Sequence, residues 1–333
     1  MTNTAIIILT WLVTISSCFA DNYIDKNEKN DLEKKDLHGK VKSVRTTSYE
    51  VVEEQGVVSR GAESGSSYLI FNKMGNIIEE NNYLLDGSIR NKKTYKYDKK
   101  GNMIEYNYYN SEASLVTQET YIYDKKGNLI ERMQSNSDGS LENRETFKYD
   151  GDGNVIENIS YNSGGSLDVK STFMYDENGN KIEGIISFVD RPGNKTTYKY
   201  EGGYLVEKIY YYAGSYDNKR TFINDNNGNV IEANEYNSEG ELARKSTFEY
   251  DDSANMIEMN LFSADGSLAR KSTVKYDENG NIIERSNYAS DGSLRSKEIY
   301  KLKYDTNKNW TNQITFDREI PQFIVGREME YYN

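Results

Sequence analysis

The sequence predicts an all-β fold, an antiparallel meander of about twenty strands made of 26-residue hairpin repeats. Three observations predict it. The phrase Tyr97-Asp98-Lys99-Lys100-Gly101-Asn102 returns at Tyr123-Asp124, Tyr149-Asp150 and Tyr175-Asp176, each 26 residues after the last. Two turn signals divide each repeat, one at Asp98-Lys99-Lys100-Gly101 and one like Asn136-Ser137-Asp138-Gly139. Between the turns lie segments rich in Thr, Tyr, Phe, Ile and Val, which suit pleated surfaces. Self-similarity at such a period marks a repeat architecture. No helical segment long enough to cover a sheet follows residue 20. The sheet is therefore expected to curl on itself into an open shell, spiral or barrel. A β-solenoid with one coil per repeat is the alternative.

Taken in chain order, residues 1–20 read as a signal peptide. Ala5 to Ile15 is apolar but too short to span a bilayer, and Cys18-Phe19-Ala20 offers small residues for cleavage before Asp21. Ile15-Ser16-Ser17-Cys18 also resembles a lipoprotein box, with Cys18 the lipidated residue. Export is expected in either case: secreted, periplasmic or associated with an outer membrane. Cys18 is the only cysteine, so no internal disulfide is available. Residues 21–36 are charged and read as a tether. A single β domain is expected over 37–333, starting near Leu37, with repeats over about 67–312 and a cap over 313–333. The phrase begins at Phe71-Asn72, loosens at Tyr200-Glu201 and Asn224-Asp225, resumes at Tyr250-Asp251 and Tyr276-Asp277, and ends at Tyr304-Asp305.

A three-residue loop with Gly in the left-handed position pairs Asp98 with Asn102, Tyr97 with Met103 and Tyr95 with Glu105. That register gathers Tyr95, Tyr97, Met103, Glu105, Tyr109 and Leu115 on one face. Lys92, Thr94, Lys96, Ile104 and Gln118 fall on the other. Ala113 and Ala254 stand where the turn asks for glycine.

The phrase Tyr-Asp-x-x-Gly-Asn followed by an aliphatic pair resembles the YD repeat of the RHS and teneurin families, over about residues 67–312. The resemblance implies a spiral β-sheet shell lined with tyrosines, used in large members to enclose a toxin and in teneurins for cell-surface recognition. Asn102, Asn128 and Asn154 stand where many members carry Arg, and the repeats are far fewer. The chain resembles a small exported bacterial member.

A net charge of −12 disfavours nucleic acid, whose phosphates ask for a basic stripe. His38 is the only histidine, so a His-based triad or zinc site has no second residue to draw on. No cofactor is expected. A column of glutamates, including Glu79, Glu105, Glu131, Glu157, Glu232, Glu258 and Glu284, is expected on the aromatic face. Successive members lie two strands apart, about 9–10 Å, too far to share one metal ion. They are expected to accept hydrogen bonds from neighbours. Lys92, Arg144, Lys170, Lys195, Lys219, Lys245, Lys271 and Lys297, interrupted by Gln118, form a basic column on the outer face, beside a threonine column. Asp150-Gly151-Asp152-Gly153-Asn154 is a turn, because Val155 and Tyr161 stand where a calcium loop needs Gly and Glu. The partner-binding candidates are Tyr106, Tyr108, Tyr210 and Tyr212, extra aromatics expected on the outer face. They point to a non-enzymatic exported protein that binds a cell-surface protein or glycan. The alternatives are a scaffold holding a peptide on its concave side, or a carboxylate-based enzyme acting on glycans.

Overall fold

The computed structural model describes residues 30–333. The signal segment with Cys18, and most of the tether, lie outside the described residues. Twenty-two strands run from β1 (Val41–Glu54) and β2 (Val57–Phe71) to β21 (Trp310–Asp317) and β22 (Ile320–Tyr331). Each pairs antiparallel with its sequence neighbours, as β3 (Ile77–Tyr83) does with β4 (Ile89–Tyr97), and β4 with β5 (Met103–Tyr109). β1 also pairs with β22, from Val41–Tyr331 to Tyr49–Ile324, so the meander closes into a barrel. The solenoid alternative is excluded.

The turns follow the expected chemistry. The Asp98 carboxylate accepts from the backbone N–H of Lys100 at 2.8 Å, the N–H of Asn102 at 2.9 Å and the Asn102 side-chain amide at 2.8 Å. Asp150 binds Asp152, Asn154 and the Asn154 amide in the same way, so its acidic loop is a turn. Ala113 and Ala254 hold φ of 57° and 62°, the left-handed values that glycine adopts at equivalent turns.

The tyrosine of the phrase has a separate task. Tyr97 donates its hydroxyl to the Ile77 carbonyl at 2.8 Å, Tyr123 to Met103 at 2.8 Å and Tyr149 to Leu129 at 2.6 Å. Tyr175, Tyr250 and Tyr276 repeat the bond to Val155, Val230 and Met256. Each acceptor opens the preceding strand, beyond the last paired residues of the ladder. Tyrosine is long enough to reach that carbonyl across the splayed strands. Where Asn224 replaces it, the Asn224 amide donates to the Leu205 carbonyl at 3.0 Å.

The expected register holds for one pair and then fails. Tyr97 does face Met103, but the next pair is Lys96 with Glu105, followed by Tyr95 with Tyr106 and Thr94 with Asn107. Ile104 is an extra residue, a β-bulge, and it reverses the facing of everything beyond it. A second bulge follows the other turn, where Tyr109 faces Leu115 but Tyr108 faces Thr117. Glu105 and Tyr109 therefore join Lys92, Thr94, Lys96 and Gln118, while Tyr106 and Tyr108 join Tyr95 and Tyr97. The bulges recur around the sheet, and each adds twist and bend, which lets a sheet this wide close.

The aromatic face is concave. Following paired residues from Glu105 through Thr120 to Met133 advances 28 positions, two more than the repeat. That stagger corresponds to a strand tilt of about 35°, usual for barrels. With the usual right-handed twist it puts the Lys–Glu face outside. Burial agrees: it raises the pKa of Tyr95, Tyr106 and Tyr121 on the aromatic face, whereas the Lys96 and Lys148 side chains opposite are 63% and 69% exposed.

The seam carries the main apolar cluster. A short helix, α1 (Asp31–Lys34), is capped by Asn30 and packs Leu32 with Leu37, Val41, Val44, Phe71 and Ile77. The folded body thus begins ahead of Leu37, and residues 30–36 are not tether. Asp31 accepts from the Ile77 N–H at 2.7 Å, His38 and Asn309 exchange two hydrogen bonds of 2.8 Å, and Tyr332 donates to the Phe71 carbonyl at 2.6 Å. The expected C-terminal cap is the closing strand.

Two outcomes follow for stability. Tyr149→Phe keeps the ring but strands the Leu129 carbonyl, and should lower the unfolding free energy by about 1 kcal/mol in urea melts; no change would show that water replaces the hydroxyl. Ala254→Gly relieves a left-handed alanine and should raise stability by up to about 1 kcal/mol. A loss would mean that alanine is locally preferred.

Candidate binding surface

The convex face is a ladder of cross-strand ion pairs. Lys92 reaches Glu79 at 2.8 Å, Arg144 reaches Glu131 at 2.9 Å, Lys170 reaches Glu157 at 2.7 Å and Lys271 reaches Glu258 at 2.6 Å. Lys245–Glu232 and Lys297–Glu284 continue it at 2.5 and 3.1 Å. The glutamate and lysine columns, expected on opposite faces, share one, because the bulge moved the glutamates across. Their carboxylates are taken up in cross-strand ion pairs. Glu105, Glu232 and Glu258 lie below the ordinary carboxylate range, chiefly through hydrogen bonds from Lys96, Lys245 and Lys271 respectively.

The concave face is richer. One aromatic column runs through Tyr95, Tyr121, Phe147, Phe173, Tyr198, Phe222, Phe248 and Tyr300. Tyr106 packs against Tyr95 with ring centroids 5.4 Å apart. Tyr108 lies on the same face, opposite Lys93 and Thr117. Tyr210 and Tyr212 lie on β13 (Tyr204–Tyr212), opposite Thr196 and Asn194, on the face that also carries Tyr198. The four candidates therefore occur in two groups on the concave wall, not on the outer surface. Tyr212, beside a turn, is the most open at 54%.

Charges of both signs stand among these rings. Arg132 lies between Glu119 at 3.0 Å and Glu145 at 3.5 Å, and Tyr121 donates its hydroxyl to Glu119. Arg220 pairs with Glu235 at 2.8 Å, Lys93 with Glu80 at 3.1 Å, and Tyr300 with Glu298 at 2.5 Å. The Lys181 and Lys208 ammonium groups sit 5.1 and 5.0 Å from the centre of the Tyr198 ring. Sequence reasoning missed this polar lining. In the register without bulges, the positions of Arg132 and Lys208 read as outward and solvated.

No protein-family model matches the sequence, and no curated protein does either. Among solved structures, the chain is similar to one described as TcdB2-TccC3-Cdc42, at 14% identity and a TM-score of 0.33. That match covers 85% of this chain and 18% of the other. It is also similar to the Tc holotoxin pore of Photorhabdus luminescens, at 10% identity and TM-score 0.24, covering 78% and 19%. A porin-like protein from Bacteroides uniformis matches at 10% identity and TM-score 0.28, over 87% of this chain and 96% of that one. The chain spans less than a fifth of the toxin chains. At this distance the likeness is one of repetitive β architecture alone.

The convex ladder predicts an acid limit. A carboxylate whose pKa is lower folded than unfolded stabilises the fold above its unfolded pKa, and loses that contribution as pH falls through the folded value. The melting temperature should hold near neutrality and decline below the ordinary glutamate value of 4.5. Glu258→Gln should shrink that decline. A melting temperature constant down to pH 3 would remove the ladder from the stability account.

Proposed function

We propose that this is a non-enzymatic, exported binding barrel that holds a polypeptide segment against its concave wall. The observation that carries this reading is the concave aromatic column, joined there by Tyr106, Tyr108, Tyr210 and Tyr212. A closed sheet of this many strands encloses more space than its side chains can fill. Aromatic rings interspersed with arginine, lysine and glutamate suit the mixed chemistry of a polypeptide. A neutral glycan would use the rings but would offer nothing to the charges. Binding at the outer surface, the leading expectation from sequence, loses the tyrosines on which it rested.

A lipid-embedded role does not fit the side chains. A transmembrane barrel needs an apolar outward band. Here Lys92–Glu79 and Lys271–Glu258 sit mid-strand on one face, and Arg132–Glu119 and Arg220–Glu235 on the other. Membrane association is left to a lipid at Cys18.

The test is a peptide array and a glycan array probed with the exported protein. Peptides should bind. Tyr108→Ser with Tyr210→Ser should weaken that binding about tenfold or more, since an interface aromatic is typically worth about 1–3 kcal/mol. The convex variant Ile104→Ser should bind as the parent does. Glycan binding alone, or binding lost through the convex variant, would sink the reading.

A further inference from the structure

Arg327 is an interior cation with no counter-charge among the described residues. It lies on β22 two residues from Met329, which pairs with Val44; Val44 pairs in turn with Leu69, and Leu69 with Glu80. That row is concave, so Arg327 projects from the concave wall beside the closing seam. Its guanidinium carbon lies 3.5 Å from the centre of the Trp310 ring. Its Nε is buried and has no hydrogen-bond partner. Among the described residues, no carboxylate comes within ion-pair reach of it. Its cross-strand neighbour on β1 is Thr46, followed by Ser67 on β2, and both are uncharged. Gln313 on β21, which pairs with Val325, gives its amide to the Thr315 hydroxyl at 3.1 Å. Glu328 and Glu330 alternate onto the convex side. Burial alone draws the Arg327 guanidinium down to about 10.

Three other interior arginines set the contrast. Arg132 has two glutamates and Arg220 has one. Arg285, whose Nε is also unpartnered, at least faces Glu298 directly across the strand pair. A desolvated cation without a partner destabilises a fold. Stacking on Trp310 fixes the plane of the guanidinium. Its terminal nitrogens then present two parallel donors, which match a carboxylate better than a lysine could.

We propose that Arg327, held flat on Trp310, is a carboxylate-binding site that takes an acidic side chain or chain terminus of the polypeptide in the barrel. The site rests on the reading that the concave wall binds polypeptide, and it names the anchoring group. No bond is made or broken there. The carboxylate exchanges water for the guanidinium.

The test uses the full chain with Trp11→Phe, which leaves Trp310 as the single tryptophan. The probes, at constant ionic strength, are acetyl-Gly-Glu-Gly-amide, its Gln counterpart and sodium acetate. The Glu peptide should change Trp310 fluorescence saturably, and the Gln peptide should bind at least tenfold more weakly. Arg327→Met should lose the Glu-peptide response at least tenfold, and Arg327→Lys should fall between. Acetate binding as tightly as the Glu peptide would keep the carboxylate site and assign it to a free acid. Equal binding of both peptides, an unchanged affinity in Arg327→Met, or no response to any probe would overturn the site. Peptide-array binding that depends on Tyr108 and Tyr210 could still stand in those cases, so the two readings fail separately. Without ligand, Arg327→Met should melt no lower than the parent; a drop beyond about 5 °C would show the arginine to be a structural prop and overturn the proposal.

Discussion

The barrel depends on how each turn hands the chain to the next strand. The bulge after the Asp-x-x-Gly-Asn turn bends the sheet and reverses its facing, and it leaves one carbonyl at the strand start beyond the ladder. A buried carbonyl without a partner is costly, so the curvature is affordable to the fold only where something caps that oxygen. The tyrosine hydroxyl of the next repeat does so at Ile77, Met103, Leu129, Val155, Val230 and Met256. The aspartate and asparagine of the same phrase tie the turn itself. The repeated phrase is thus a structural device: Tyr and Asp satisfy backbone groups, Asn braces the Asp carboxylate, and Gly takes the left-handed position.

That device sorts the remaining side chains. With the bulges in place, lysines and glutamates meet across strands on the convex side and neutralise one another in water. Exposed pairs of this kind contribute little individually. Their larger effect is to make the outer surface polar, with both signs present. The concave side receives the rings and a second, less regular set of charges. Its variation from repeat to repeat, Tyr106, Arg132, Asn158, Gly184, Lys208 and Ala233 at one position, contrasts with the constancy of the convex columns. Architecture is written in the part that repeats, and the lining of the proposed binding wall in the part that does not.

Much of the fold was legible in the sequence. The period gave the hairpins, Asp and Gly gave the turns, Ala113 and Ala254 gave their left-handed conformation, and the missing helices required a curled sheet. The facing of the strands was not legible. Ile104 and Val116 are ordinary strand residues, and nothing in their chemistry announces that they are unpaired. One uncounted residue reverses a face, because side chains alternate with a period of two. The glutamates and Tyr109 were therefore assigned to the wrong side, and Tyr106, Tyr108, Tyr210 and Tyr212 to the outside. The helix around Leu32 was hidden by its charged surroundings, although Asn30 and Glu33 form a capping box. Arg327 and Trp310 stood in a segment read only as a cap, and no local pattern brings them together.

Closure by β1 and β22 also shapes how such a chain can assemble. Every other strand pairing joins sequence neighbours through a short turn, so it can form as soon as the chain is present. The seam joins residues nearly 300 positions apart, Val41 with Tyr331, and carries the one large loop-closure entropy in the molecule. Until Tyr331 and Tyr332 arrive, the growing sheet has two unpaired edges, each a template for another chain. The last dozen residues decide whether a nascent ribbon shuts on itself or joins its neighbour.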